Sequence, residues 1–353
     1  HRPGPGPGPR PGPRPVPGRS ARRIVVAAVF GLLAALFGAD VAHADPAGPT
    51  DYRTEVLSID PAVEGIRIDV IGGDSFVQLT VDRGVEADVV GYFGEPYLTF
   101  LADGTVIENR NSPTTYQNEE RYGTDAPDFA SADAEPEWEE VADDGSYAWH
   151  DRRAHWMQPI RPAGREPGDR ILEQVIPVTV DGVDVDVTVI SVWLPEPSPA
   201  PLVAGALIGL AAVAATVVLA RRNSWWAAPL TAVALWASIA GVCQYTSLPS
   251  ETGPHLVWAA LPIVAAVAGG AAIVASSSSR FIGAGLALVG AVQLLVWAAV
   301  KRDGLGAAIV PTDAPQWLDR SAVVAAFVAG VGVGAVALRE LFRADAPASV
   351  VPA

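Results

Sequence analysis

The chain has 353 residues, half of them hydrophobic, and a net charge of −15, enough for two or three domains. The charge is unevenly spread: residues 45–200 hold 32 Asp and Glu against 10 Arg, a net −22, while residues 201–353 are dominated by Ala, Val, Leu and Gly. So acidic a surface repels nucleic acid and argues against a DNA or RNA partner, and a single cysteine, Cys243, excludes an intramolecular disulfide or a CxxC site.

Residues 1–18 are Pro/Gly/Arg low complexity that cannot bury a core. Arg19, Arg22 and Arg23, the apolar run 24–37 and Ala42-His43-Ala44 predict a signal peptide over 19–44, cleaved before Asp45. Residues 45–194 then fall outside the cytoplasm. In that region Ile66, Ile68 and Val70, then Val77, Leu79 and Val81, alternate with polar residues, as half-buried strands do. Turn signals separate them at Gly72-Gly73-Asp74, Asp82-Arg83-Gly84, Gly94-Glu95-Pro96 and Asp103-Gly104. Residues 110–148 are acidic and weakly periodic, which predicts a long loop. Strand pattern returns at 175–180 and 183–189, with Asp181-Gly182 as the hairpin turn. Short strands at this spacing predict an antiparallel β-sandwich-like domain.

A Pro-rich spacer, 195–200, leads to residues 201–343 and predicts a β domain that few contacts tie to the C-terminal half of the chain. Five runs there, 202–220, 225–243, 256–275, 281–300 and 321–338, have 18 to 20 residues and no Asp, Glu, Lys or Arg. Each is long enough to cross a hydrocarbon core of ~30 Å, so the expected architecture is a β domain followed by a five-helix bundle in a lipid bilayer. Arg221, Arg222, Arg280, Arg339 and Arg343 fall on one side and Lys301, Arg302 and Arg320 on the other. The positive-inside rule makes the first side, with the tail 344–353, cytoplasmic. Trp225, Trp226, Trp258 and Trp317 sit near helix ends, where indoles favour the membrane interface. The spans lack ionisable residues, which argues against pumps, ion-coupled transporters and intramembrane proteases. Gln293 is expected to hydrogen-bond a neighbouring helix, and Gly205/Gly209 and Gly330/Gly334 to give close-packing faces.

The stretch Tyr147 to Met157 concentrates scarce residue types. Only three His lie beyond the signal segment, His150, His155 and His255, and Met157 is the only Met. Three readings of this stretch stay open. Imidazole and thioether together suit copper, with His150, His155 and Met157 as ligands and His255 completing the set. His150 and His155 stand about 140° apart on a helix, so only an irregular loop could converge them. Alternatively, Arg152 and Arg153 stack on Trp149 or Trp156 and pair with Asp151 as a structural cluster. In the third reading, Trp149, Asp151, Arg153 and Trp156 dock another membrane protein. No GxSxG, HExxH, phosphate loop or Cys–His pair is present, so no enzyme chemistry is expected. Twenty-three Arg against one Lys, Lys301, points to a GC-rich bacterial genome.

The segment Trp149 to Met157 has the form W-H-D-x-R-x-H-W-M. Together with Gly94-Glu95-Pro96-Tyr97-Leu98, Asp103-Gly104-x-Val106 and Asn111-Ser112-Pro113, it resembles an uncharacterised family of actinobacterial membrane proteins. The resemblance covers roughly residues 50–340. It implies a signal peptide, a β-rich outer domain and about five helices, and no activity. Relatives often have His where this chain has Arg152, a departure that removes one potential ligand.

Overall fold

The computed structural model describes residues 47–158, 160–222 and 224–344. The expected low-complexity extension and signal peptide lie outside the described residues, as does nearly all of the expected tail.

Ten strands come first: β1 (Tyr52–Asp60), β2 (Ile66–Ile71), β3 (Phe76–Val81), β4 (Ala87–Val90), β5 (Pro96–Phe100), β6 (Val106–Asn109), β7 (Trp138–Ala142), β8 (Ser146–Trp149), β9 (Arg170–Val180) and β10 (Val183–Trp193). They form a seven-stranded sheet in the order β1-β10-β9-β4-β5-β6-β7 and a three-stranded sheet β2-β3-β8. The pairings are antiparallel. One core is shared between the sheets: Ile68, Val77 and Leu79 from the smaller meet Leu98, Phe100, Ile176 and Val187 from the larger. Along β10 the alternation is direct. Val185, Val187 and Val189 are buried while Asp184 and Asp186 face out, each buried valine contributing about 1.5–3 kcal/mol. The β9–β10 hairpin closes at Asp181 (φ 47°) and Gly182 (φ 78°). Two successive positive φ angles are what the type I′ turn needs to match strand twist.

The expected long loop 110–148 is more ordered than its pattern. It contains α1 (Pro113–Gln117), capped by the Ser112 hydroxyl, which accepts the Thr114 amide, and the strands β7 and β8. β7 is an edge strand of the large sheet, exposed over most of its length. No core face therefore imposes alternation on Trp138-Glu139-Glu140. β8 has only four residues, too few for a period to register.

Five long helices complete the described chain: α2 (Ala200–Ala220), α3 (Ala228–Thr246), α4 (Val257–Ser276), α5 (Arg280–Val300) and α6 (Gln316–Ala344). All five are long and apolar enough to cross a membrane, which makes the chain a multi-pass integral membrane protein. α2 lies against α6 through its glycines: a methyl group at Gly209 would stand 2.6 Å from Val328 Cβ and 3.1 Å from the Ala325 carbonyl oxygen.

Several expectations for the spans need correction. α6 begins at Gln316, so Asp319 and Arg320 lie within it, as does Glu340 near its other end, and all three are buried. Counting apolar residues ends a span at the first charge, but a helix continues where protein groups satisfy that charge. Glu340 pairs with Arg280. Trp226 and Trp258 are buried inside the protein, and only Trp225 and Trp317 are exposed as interfacial indoles would be. Gln293 is buried, yet its Oε1 has no hydrogen-bond partner among the described residues.

The β domain is tied to the bundle by more than its spacer. Thr50 and Ile309 exchange backbone hydrogen bonds of 3.0 and 2.8 Å. Asp51 Oδ1 accepts the Ala308 amide at 3.0 Å, and Glu251 Oε1 accepts the Ala148 amide at 3.2 Å. Ala47, Phe76 and Ala148 share a small apolar cluster with Leu248 and Trp258.

Candidate functional site

The scarce-residue segment leaves β8 at Trp149 and runs as irregular chain over the core. Asp151 organises it. This carboxylate is fully buried and accepts from Trp149 Nε1 at 3.0 Å and from Arg153 through its amide (2.9 Å), Nε (2.9 Å) and Nη2 (2.8 Å). Burial alone would raise the Asp151 carboxyl, but Arg153 and these N–H donors hold it below the usual carboxylate value. The Arg153 guanidinium also lies 4.9 Å from the Tyr92 ring centroid. The Arg152 amide donates to Tyr92 Oη at 2.8 Å, and the Ala154 carbonyl accepts from Thr54 Oγ1 at 2.5 Å. A buried ion pair with its hydrogen bonds filled thus pins an irregular loop to β1 and to the turn after β4.

This loop brings His150 and His155 together, with ring centroids 6.2 Å apart. Both are buried. His150 Nδ1 is 2.7 Å from the Ser75 carbonyl oxygen, and Phe76 stacks on the ring at 4.2 Å. His155 Nε2 is 2.6 Å from the Arg121 carbonyl oxygen. A carbonyl only accepts, so each of these nitrogens carries its proton. In His155 that leaves Nδ1 as the lone-pair nitrogen, buried and without a hydrogen-bond partner among the described residues. Burial, with Arg121 nearby, pushes the His155 pKa down to about 4, so the ring is neutral at ordinary pH.

Two imidazoles sharing one ion each place their centroid roughly 3 Å from it when the metal–nitrogen distance is ~2.0 Å. The observed 6.2 Å is therefore about the widest separation one ion can bridge. Met157 is half-buried two residues beyond His155. His255 is exposed and packs edge-on against Trp258, centroids 5.3 Å apart. Among the described residues no three His, Cys, Asp or Glu side chains are grouped to hold a metal, so His255 does not join the pair. Of the residues expected to dock a partner, Trp149 and Asp151 are buried and Arg153 is largely so, while Trp156 is half-buried with its indole N–H donating to the Ile160 carbonyl at 2.8 Å.

Two further groups were missed by sequence reasoning, the first with no signal at all. Asp74 is fully buried and pairs with Arg121 Nη2 at 2.6 Å, leaving its Oδ1 without a hydrogen-bond partner among the described residues. Burial raises its carboxyl despite Arg121. Arg121 therefore holds Asp74 with its guanidinium and His155 with its carbonyl. In sequence, Asp74 is one of a Gly-Gly-Asp turn and Arg121 one charge in an acidic stretch, with no signal that they meet. The second group lies at the bundle end beneath the β domain. Lys301 Nζ pairs with Asp319 Oδ2 at 2.5 Å, donates to Gln244 Oε1, and sits 5.9 and 5.8 Å from the Trp258 and Trp297 ring centroids. The one available signal was that Lys301 is the chain's only lysine.

Compared with known proteins, the chain matches no family model, no curated protein and no solved structure.

Proposed function

We propose that this chain is a non-enzymatic membrane protein of the cell envelope whose β domain, held outside the cytoplasm, binds copper at His150 and His155. The observation that carries the reading is the His155 ring. It is buried and neutral, it donates one N–H to a backbone carbonyl, and its other nitrogen has no hydrogen-bond partner among the described residues, with a second imidazole 6.2 Å away centroid to centroid. Metal-binding histidines are held in this way, the second nitrogen fixing tautomer and orientation. Met157, close in sequence, supplies a soft thioether suited to Cu(I). Asp151, Arg153 and Trp149 act as positioning residues that hold the loop.

Calorimetric titration of the full-length protein in detergent tests this. One saturable copper site is expected, weakened at least tenfold by His155→Ala and unaffected by His255→Ala. Met157→Leu should weaken Cu(I), measured under reductant, more than Cu(II). No saturable copper binding by the wild-type protein would overturn the reading. A structural or assembly subunit docking another membrane protein is the alternative, and it draws on Trp156, the motif indole not enclosed by the core. It predicts a folded, metal-free protein whose Trp156→Ala variant loses a co-purifying membrane partner.

A further inference from the structure

A cavity of about 660 Å³ opens between the β domain and the connection from α3 to α4, within the size range of small-molecule sites. Its walls combine two chemistries. Tyr147, half-buried, supplies aromatic surface, with Phe76, Tyr97 and Trp149 buried behind the wall. Five carboxylates, Glu108, Glu119, Glu120, Glu139 and Glu251, face it against one guanidinium, Arg110. That guanidinium is already engaged, with Nη1 3.0 Å from Glu108 and Nε 3.2 Å from Glu139. Glu119, Glu120 and Glu251 have no cationic partner among the described residues, and Glu119, Glu120 and Glu139 are exposed at the rim. Asn118 lines the same cavity and is 5% exposed; its Oδ1 accepts from Tyr92 Oη at 2.6 Å, while its Nδ2 has no hydrogen-bond partner among the described residues.

We infer that this cavity binds a small organic cation: an ammonium group on an apolar body, with an acceptor atom that takes the Asn118 N–H. Surplus negative charge selects for a cation, and the half-buried Tyr147 ring stabilises an ammonium that has shed its water. A bare metal ion fits less well, because no three carboxylates or imidazoles are grouped tightly enough to ligate one among the described residues. A neutral apolar ligand would leave the carboxylates desolvated and uncompensated. His150 belongs to both this cavity and the copper site, whereas His155 does not line the cavity, so His155→Ala separates the two.

The test is calorimetric titration of the full-length protein in detergent with 2-phenylethylamine and benzyltrimethylammonium, against the neutral 2-phenylethanol and against calcium chloride. At least one of the two cations should bind saturably and at least tenfold more tightly than the alcohol. The combined Glu119→Gln, Glu120→Gln and Glu251→Gln changes, on exposed or half-buried side chains, should weaken it tenfold or more. Tyr147→Leu should weaken it several-fold, and His155→Ala should leave it unchanged. Failure of both cations to bind the wild-type protein overturns the inference. So does equal affinity for amine and alcohol, or saturable calcium binding that the amines do not displace.

Discussion

At the scale of single residues, burial decides protonation, and protonation decides what the His pair can do. An exposed histidine titrates near 6.5; His155 is pushed down to about 4 because the charged ring would be desolvated beside Arg121. Between those values the unfolded chain holds a proton that the folded chain refuses. This residue's contribution to stability is therefore complete above about pH 6.5 and lost as pH falls toward 4, by about 3 kcal/mol at most. Asp74 acts with the opposite sign. Its carboxyl is raised by burial, so its contribution is present at low pH and lost as pH rises through its folded value. The comparison that isolates His155 is with His155→Gln, whose amide can still donate to the Arg121 carbonyl. Without copper, the wild-type melting temperature should drop between pH 7 and 4.5 by several degrees more than that of the variant. Parallel drops would mean His155 is not held neutral by the fold. Asp151 gives a second expectation. Asp151→Leu leaves Arg153 buried without its carboxylate, a change of about 3–5 kcal/mol, read as a large fall in melting temperature.

At the scale of elements, legibility in the sequence tracked how strongly each element's surroundings impose a period. β10 is legible because one face is core, and its Val/Asp alternation maps directly onto burial. The five helices are legible because lipid and neighbouring helices demand apolar residues on every side. β7 and β8 were not, since an exposed edge strand and a four-residue strand carry no period. The pairing of His150 with His155 was not legible either. It depends on a loop held by Asp151, and only the concentration of rare residue types hinted at it. The start of α6 was misplaced because Asp319 looks like a boundary in sequence, yet Lys301 from the end of α5 neutralises it. This gives a prediction about helix ends. Lys301→Met leaves Asp319 buried and unpaired, which should destabilise by about 3–5 kcal/mol, while Lys301→Met combined with Asp319→Leu removes both charges and should recover most of the loss. Thermal unfolding of the three proteins in one detergent measures it. A single variant as stable as wild type would show that the pair does not hold α5 to α6.

At the scale of the whole molecule, the two ends of the bundle use their basic residues differently. Beneath the β domain two of the three are folded into the protein, with Arg302 left exposed: Lys301 pairs with Asp319, and Arg320 Nη2 donates to the Ala307 and Ala308 carbonyls at 2.7 and 2.8 Å. At the far end Arg221, Arg339 and Arg343 gather around one small cavity, with Arg280 nearby on Glu340. Basic residues that serve packing need no cytoplasm beside them. Those clustered at the opposite end fit the cytoplasmic face that the positive-inside rule assigns them. Five spans put the β domain and the C-terminus on opposite sides of the membrane, and the proposed orientation would put the acidic cavity and the His pair outside the cytoplasm. Green fluorescent protein folds to its fluorescent form in the cytoplasm, and alkaline phosphatase is active only after export. Fused after Ala353, the first should fluoresce and the second stay inactive at matched expression. The reverse pair of results would invert the bundle and place the His pair in the cytoplasm, where the proposed envelope role could not operate.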